Sequence, residues 1–314
     1  MQNWKNVARG KQDFDILLFD QFSNHCLANT VEPMRAANGL SRHAQFNWRF
    51  VSLDGGPVES SSGMQVTPHS ALKEGRGATL VIMPSYGFRR FATWETTQQL
   101  RAAAKRYDVV AGMDTGSWLM AHAGLLEGYS ATIHWDEWSS FAEAFPQVQA
   151  ERERFVVDRD RITCSGAMAA FDLVVHLIGQ AHGPLLALKV AHLFMSAQGA
   201  GGPLPFSSRK GKLVDRAITV MSEHLEKPLG IAAVARAVGI SQKTLENRMR
   251  AELDVTPQTA YRTLRLTYAR KLVTETDQSV SEIAGRCGYE NASAMTRAFK
   301  AEFQETPRGL RMGG

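Results

Sequence analysis

The chain has 314 residues, 44% hydrophobic and 21% charged, with a formal net charge of +5, long enough for two ordinary domains with separate cores. The opening MQNWKNVARGKQDFD carries no apolar stretch or small-residue cleavage site, and the longest apolar runs, such as FDLVVHLIG, fall short of a membrane span. Cys26, Cys164 and Cys287 lie far apart without CxxC spacing, which argues against a disulfide framework or zinc site and for a reducing cytoplasm.

In chain order, FDILLFDQF (14–22) reads as a strand and VEPMRAANGL as a helix with Glu32 near its start. WRFVSLDG (48–55) and ATLVIMPSY (78–86) are further strands, followed by a helix near 95–106 and the strand DVVAGMD (108–114). This alternation predicts a parallel sheet covered by helices. VVAGMDTGSWLMAHAGLL (109–126) runs from strand through a Gly-flanked turn into helix, the layout of a nucleophile elbow, and presents Asp114 followed by Thr115. Tyr86 sits in the loop after the 78–86 strand, and ATIHW (131–135) adds His134 and Trp135. Ser23 and Asn24, at the end of the first strand, are weaker ligand candidates. Cys164 reads as a small buried residue. His176, His182 and His192 lie on apolar helices near 168–195 without metal spacing, and read as surface or dimer-face residues. No metal or cofactor is expected. The Gly-, Ser- and Pro-rich stretch 196–211 reads as a linker between a domain at 1–195 and another at 212–314.

Beyond the linker the pattern is helical throughout. From Ser207 onward there are 18 Lys+Arg against 12 Asp+Glu, so the whole positive excess sits in the last third, as binding to phosphate would require. IAAVARAVGISQKTLENRMRAELDVTP (231–257) and VSEIAGRCGYENASAMTRAFKAEFQETP (280–307) form an internal repeat at an offset of 49–50. Each copy reads as short helix, Gly-containing turn and second helix. Ser241 caps the second helix of the first copy, and its Leu245, Met249 and Leu253 stripe faces inward. The outward residues are Gln242, Lys243, Glu246, Asn247 and Arg250, and in the other copy Asn291, Ala292, Ser293, Thr296, Arg297 and Lys300. These suit base edges and phosphates in the major groove of double-stranded promoter DNA. The helix between the copies holds the two reading heads in fixed relation.

Residues 212–311 resemble the AraC family of bacterial regulators, with SEIAGRCGYENASAMTRAFKAEFQETPRGLR close to its signature. The resemblance implies seven helices, binding to two successive major-groove segments, a homodimer, and activation beside RNA polymerase. The family commonly has Gly at Asp254 and Gln304, so these helix caps should be made some other way; Asp can tolerate the left-handed region, Gln less readily. Residues 13–195 resemble the PfpI/ThiJ branch of class I glutamine amidotransferase-like proteins, which implies a flavodoxin-like α/β sandwich. In that branch the elbow carries a cysteine, a His follows it and an early Glu approaches the thiol; by position, Glu32 and His134 are kept and the thiol becomes Asp114. The paired domains recur in regulators that sense small nitrogen compounds.

A carboxylate lacks the nucleophilicity of a thiolate for amide hydrolysis, and Pro84-Ser85-Tyr86-Gly87 stands where the branch has paired oxyanion glycines. The chain therefore reads as a cytoplasmic sensor without catalytic residues. At a helix N-terminus Asp114 should stay anionic. With Trp118, Trp135 and Trp138 nearby in sequence, it suits a cationic effector such as betaine, carnitine or arginine. The alternatives left open are that Asp114 only caps its helix, that the chain is an amidase carried on a DNA-binding domain, and that it is an architectural DNA binder.

Overall fold

The computed structural model describes residues 12–41, 45–194 and 212–312. By contacts they form two units divided at residue 177, with 36–41 grouped with the second. The expected linker, 196–211, lies outside the described residues.

In chain order the elements are β1 (Gln12–Leu18), α1 (Asn24–Leu40), β2 (Phe46–Ser52), β3 (Val58–Glu59), β4 (Gln65–Val66), β5 (Ser70–Ala71), β6 (Gly77–Met83), α2 (Trp94–Ala104), β7 (Tyr107–Met113), α3 (Gly116–His122) and β8 (Ser130–Ala131). There follow α4 (Trp138–Ala144), β9 (Gln149–Ala150), β10 (Phe155–Asp158), β11 (Arg161–Cys164), α5 (Ala167–His182) and α6 (Pro184–Phe194). The main sheet has the order β10-β11-β7-β6-β1-β2-β5. Every neighbouring pair is parallel except β10–β11. Its central strands are apolar on both faces, with Ile16, Leu17, Leu80, Ile82, Val109 and Val110 buried, as a sheet between helix layers demands. The chain leaves β1 for β2 on one side and returns to β6 on the other, so strand order reverses between β1 and β6. Ligands of such sheets bind at that switch, beyond the carboxyl ends of the strands.

Two local expectations are corrected. The first strand ends at Leu18 and the third at Met83, because Gln21 (φ 70) and Ser85 (φ 52) turn the backbone into the left-handed region. Phe19 and Phe22 are buried, but in the turn. Helix α1 begins at Asn24, well before Val31: the Ser23 hydroxyl accepts from Cys26 N (3.2 Å), and the helix continues through Pro33. The apolar run 168–195 forms two helices, broken at Gly183 (φ 89) and Pro184.

The second unit continues with α7 (Lys212–Glu223), α8 (Ile231–Ala237), α9 (Gln242–Leu253), α10 (Pro257–Glu275), α11 (Val280–Arg286), α12 (Ala292–Phe303) and α13 (Pro307–Met312). Leu245, Met249 and Leu253 are buried as the stripe predicts, and Met295 and Phe299 repeat it in the second copy. Ser241 and Asn291 cap their helices, accepting from Thr244 N and Ala294 N. The caps at Asp254 (φ 55) and Gln304 (φ 62) are left-handed, as glycine caps would be. Asp254 takes the left-handed region that was open to it, and Gln304 takes it as well, an L side chain being tolerated there at about 1–2 kcal/mol. Lys189 on α6 is buried and ion-paired with Glu302. His192 on α6 is packed, and burial pushes its imidazole down to about 4; His176 packs against Phe155. Both are half-buried. No helix among the described residues is long and apolar enough to cross a membrane.

Candidate effector site and nucleic-acid interface

The site in the first unit is built by three turns at the carboxyl ends of β1, β6 and β7, each with a non-glycine residue in the left-handed region: Gln21 (φ 70), Ser85 (φ 52) and Asp114 (φ 61). Such backbone costs of order 1–3 kcal/mol per residue and concentrates at functional sites. The three turns are tied together. Tyr86 N donates to Gln21 O (3.2 Å), and Thr115 Oγ1 donates to Ser85 O (2.6 Å). The elbow around Asp114 tolerates no larger neighbours, since a Cβ on Gly116 would lie 2.2 Å from Ile82 O.

His134 reaches the elbow from the other side. Its backbone N donates to Asp114 O (3.1 Å). The Ser117 hydroxyl donates to Thr132 O (2.6 Å), and Thr132 N donates to Thr163 Oγ1 (2.9 Å), fixing the segment that carries His134. Gly166 faces the imidazole, where a Cβ would meet Cδ2 at 3.1 Å.

Asp114 is 9% exposed. Burial raises its pKa, with the positive charge of His134 and the Ser85 hydroxyl pulling it back. Burial thus works against the charge that the helix N-terminus favours. Ser85 is 3% exposed; its hydroxyl lies near enough to favour the Asp114 charge yet forms no hydrogen bond of good geometry. Around the site Tyr86 (61% exposed) and Trp135 (74% exposed) stand open. Trp118 and Trp138 do not: each is covered by the chain's own arginine, Arg89 at 4.4 Å and Arg152 at 4.0 Å from the ring centroids.

Glu32 is not brought to this site by any interaction. It lies midway along α1, half-exposed and paired with Arg35 (2.7 Å). The α1 residue that feels Asp114 is Cys26, whose thiol burial pushes well up, followed by the charge of Asp114. Carrying the early Glu over by position missed this because α1 starts at Asn24. Cys164 is likewise buried, and burial pushes its thiol to about 12. Ser23 is committed to its helix cap, and Asn24 donates to Ser60 Oγ (3.0 Å) and Ser62 Oγ (2.5 Å). No group of three or more His, Cys, Asp or Glu among the described residues could hold a metal ion.

In the second unit the two repeat helices present the outward residues that the stripes imply. On α9, Gln242, Lys243, Asn247 and Arg250 are exposed, and Glu246, half-buried, accepts from Gln242 (2.9 Å). On α12, Ser293, Arg297 and Lys300 are exposed and Ala292 and Thr296 half-buried, while Asn291 uses its carbonyl oxygen in the cap. A polar face above a buried stripe is the form a major-groove reading helix takes.

Comparison with known proteins matches both halves. Residues 16–180 match the DJ-1/PfpI family and residues 234–313 the helix-turn-helix domain family. The chain is 37% identical over 306 residues to the HTH-type transcriptional regulator CdhR of Pseudomonas aeruginosa, covering 94% of this chain and 90% of that protein. It is 33% identical to the HTH-type transcriptional regulator GbdR of the same species, covering 97% and 85%. Among solved structures, an AraC family transcriptional regulator from Pseudomonas putida aligns with a TM-score of 0.50 at 25% identity, covering 58% of this chain and 99% of that one. A THiJ/PfpI family protein from Pseudomonas syringae shares the fold with a TM-score of 0.52 at 19% identity, covering 82% and 91%.

Proposed function

From the premise that this chain belongs to the AraC-type helix-turn-helix transcriptional regulators that carry a DJ-1/PfpI domain, we propose that it is a ligand-responsive, sequence-specific regulator whose first unit takes a small cationic nitrogen compound. It is a DNA-binding regulator, like its curated relatives, and not an enzyme. The observation that carries the effector reading is the buried Asp114 carboxyl, against which the opposing charge is that of His134 alone. A buried carboxyl whose pKa is raised by burial is a half-made ion pair, and a cation entering beside it restores the missing half. The open faces of Trp135 and Tyr86 suit an amine, guanidinium or quaternary ammonium group, and the unsatisfied Ser85 hydroxyl offers a further polar contact.

On this reading residues 1–195 sense the effector, 196–211 link, and 212–314 bind promoter DNA, in a cytoplasmic homodimer that activates genes of nitrogen-compound catabolism beside RNA polymerase. Effector and DNA affinities then couple reciprocally. Calorimetric titration of full-length protein with choline, arginine and carnitine tests the site. At least one should bind, and Asp114→Asn should weaken it by tenfold or more, about 1.4 kcal/mol; unchanged affinity contradicts the charge argument. On the DNA side, Arg297→Ala should weaken binding to a selected duplex by about 1–3 kcal/mol at physiological salt. Retention of full specific affinity would remove Arg297 from the interface.

A further inference from the structure

We propose that Arg265, on α10, sets the spacing and phase of the two reading helices, and so fixes which separation of half-sites the protein accepts. The proposal rests on the DNA-binding reading above. Arg265 Nε donates to Cys287 O and Nη2 to Gly288 O, both at 2.6 Å, and the guanidinium lies 4.2 Å from the Tyr289 ring centroid. Those three residues follow α11 in the turn that leads to α12. A planar guanidinium bound to two successive carbonyls fixes orientation as well as position.

That turn lies against the segment that enters the first head. Gly288 has φ 69, and a Cβ there would stand 2.5 Å from Pro228 Cγ and 2.6 Å from Leu225 O. One helical turn earlier on α10, Tyr261 grips the same segment: its hydroxyl donates to His224 O (2.8 Å) and accepts from Leu229 N (3.2 Å). Two side chains of one helix therefore reference both heads to each other. The corresponding turn of the first copy is looser, since a Cβ on Gly239 would meet nothing within 4 Å. One base pair corresponds to about 3.4 Å and roughly 34° of helix, so a small rotation of the Cys287–Tyr289 turn, carried outward by α12, changes the accepted register. Arg265 acts through the turn, as a positioning residue.

The test begins with selection from random duplexes by the full-length wild type, which defines both half-sites. Affinities are then measured on the selected duplex and on duplexes with one base pair inserted or removed between the halves. The wild type should lose about tenfold or more per change, within the usual cost of a spoiled contact. Arg265→Ala should lose less than about threefold while keeping the base preferences within each half, and Arg265→Lys should fall between, because a compact ammonium lacks the planar fork. Uniformly weaker binding with the wild-type spacing penalty would make Arg265 a stabilising contact only and overturn the proposal. So would a wild type indifferent to spacing. If Arg265→Ala does not fold, the folded Lys variant decides, and a wild-type penalty there refutes the assignment. A wild type that selects no sequence defeats the DNA-binding reading itself, a distinct outcome.

Discussion

Two aspartates are buried in the first unit, one in mid-strand and one beyond the carboxyl end of a strand of the same sheet, and they are treated differently. Asp15, in β1, is 2% exposed and fully partnered: Arg49 donates to both carboxylate oxygens (2.8 and 2.7 Å), and the Tyr107 hydroxyl donates at 2.6 Å. Burial and that carboxylate together push the Tyr107 hydroxyl's pKa up. Asp114, at the carboxyl ends, has no arginine, and its pKa is raised by burial. One carboxylate is finished by the fold and clamps β1 to β2 and β7. The other, on the proposed reading, awaits the cation of an effector. Burial alone does not distinguish the two acids; the charges set beside each one do.

Three substitutions would break or sharpen this contrast. The largest effect belongs to Asp15→Ala, which strips three charge-assisted bonds and leaves the Tyr107 hydroxyl unmade; we expect about 3 kcal/mol lost in denaturant unfolding, with effector affinity unchanged. If Asp15→Ala instead abolished binding and left stability intact, the two roles would be reversed. Asp114→Asn should have the opposite and smaller effect, stabilising the ligand-free protein at neutral pH by roughly 0.5–2 kcal/mol, as often happens when a functional residue is replaced. The sign follows from linkage. The folded pKa of Asp114 lies above its unfolded value, so its contribution is fully present below the unfolded pKa and is lost as pH rises through the folded one. The variant's advantage should therefore appear only on the alkaline side of that window, in melts recorded from pH 3 to 8. The smallest effect is that of Ser85→Gly. Relief of left-handed strain, about 1–2 kcal/mol, is largely offset by the chain entropy of glycine, about 0.5–1 kcal/mol. Stability should barely move while effector affinity falls; an unchanged affinity would show that the Ser85 hydroxyl takes no part.

The two units also differ in how openly the sequence declared them. The helical unit announces itself twice, through Gly239 and Gly288, Ser241 and Asn291, and paired Thr-Pro steps, because each signal belongs to local backbone geometry and is repeated. The elbow was equally legible, since the glycines flanking Asp114 are demanded by close approach to β6 and α3. What stayed hidden depends on long-range placement. Ser85 and Gln21 are not residue types that advertise positive φ. Cys26 feels the Asp114 charge from a helix that Ser23 starts early, whereas VEPMRAANGL reads as a helix beginning near Val31. Arg265 looks like one more basic residue on a basic helix until its turn is placed beside it. The left-handed cap at Gln304 was hidden in the same way, since glutamine does not advertise that region.

The most direct test is thermal melting of the full-length wild type and Asp114→Asn with choline and with its neutral carbon isostere, 3,3-dimethylbutanol, alongside arginine and carnitine. A ligand that binds the folded state raises the melting temperature. We predict that at least one of choline, arginine and carnitine, each carrying a positive nitrogen group, stabilises the wild type, that the neutral isostere does not, and that the variant responds to none. Equal shifts in wild type and variant, or stabilisation by the neutral isostere to the same degree, would contradict the claim that Asp114 is the open half of an ion pair.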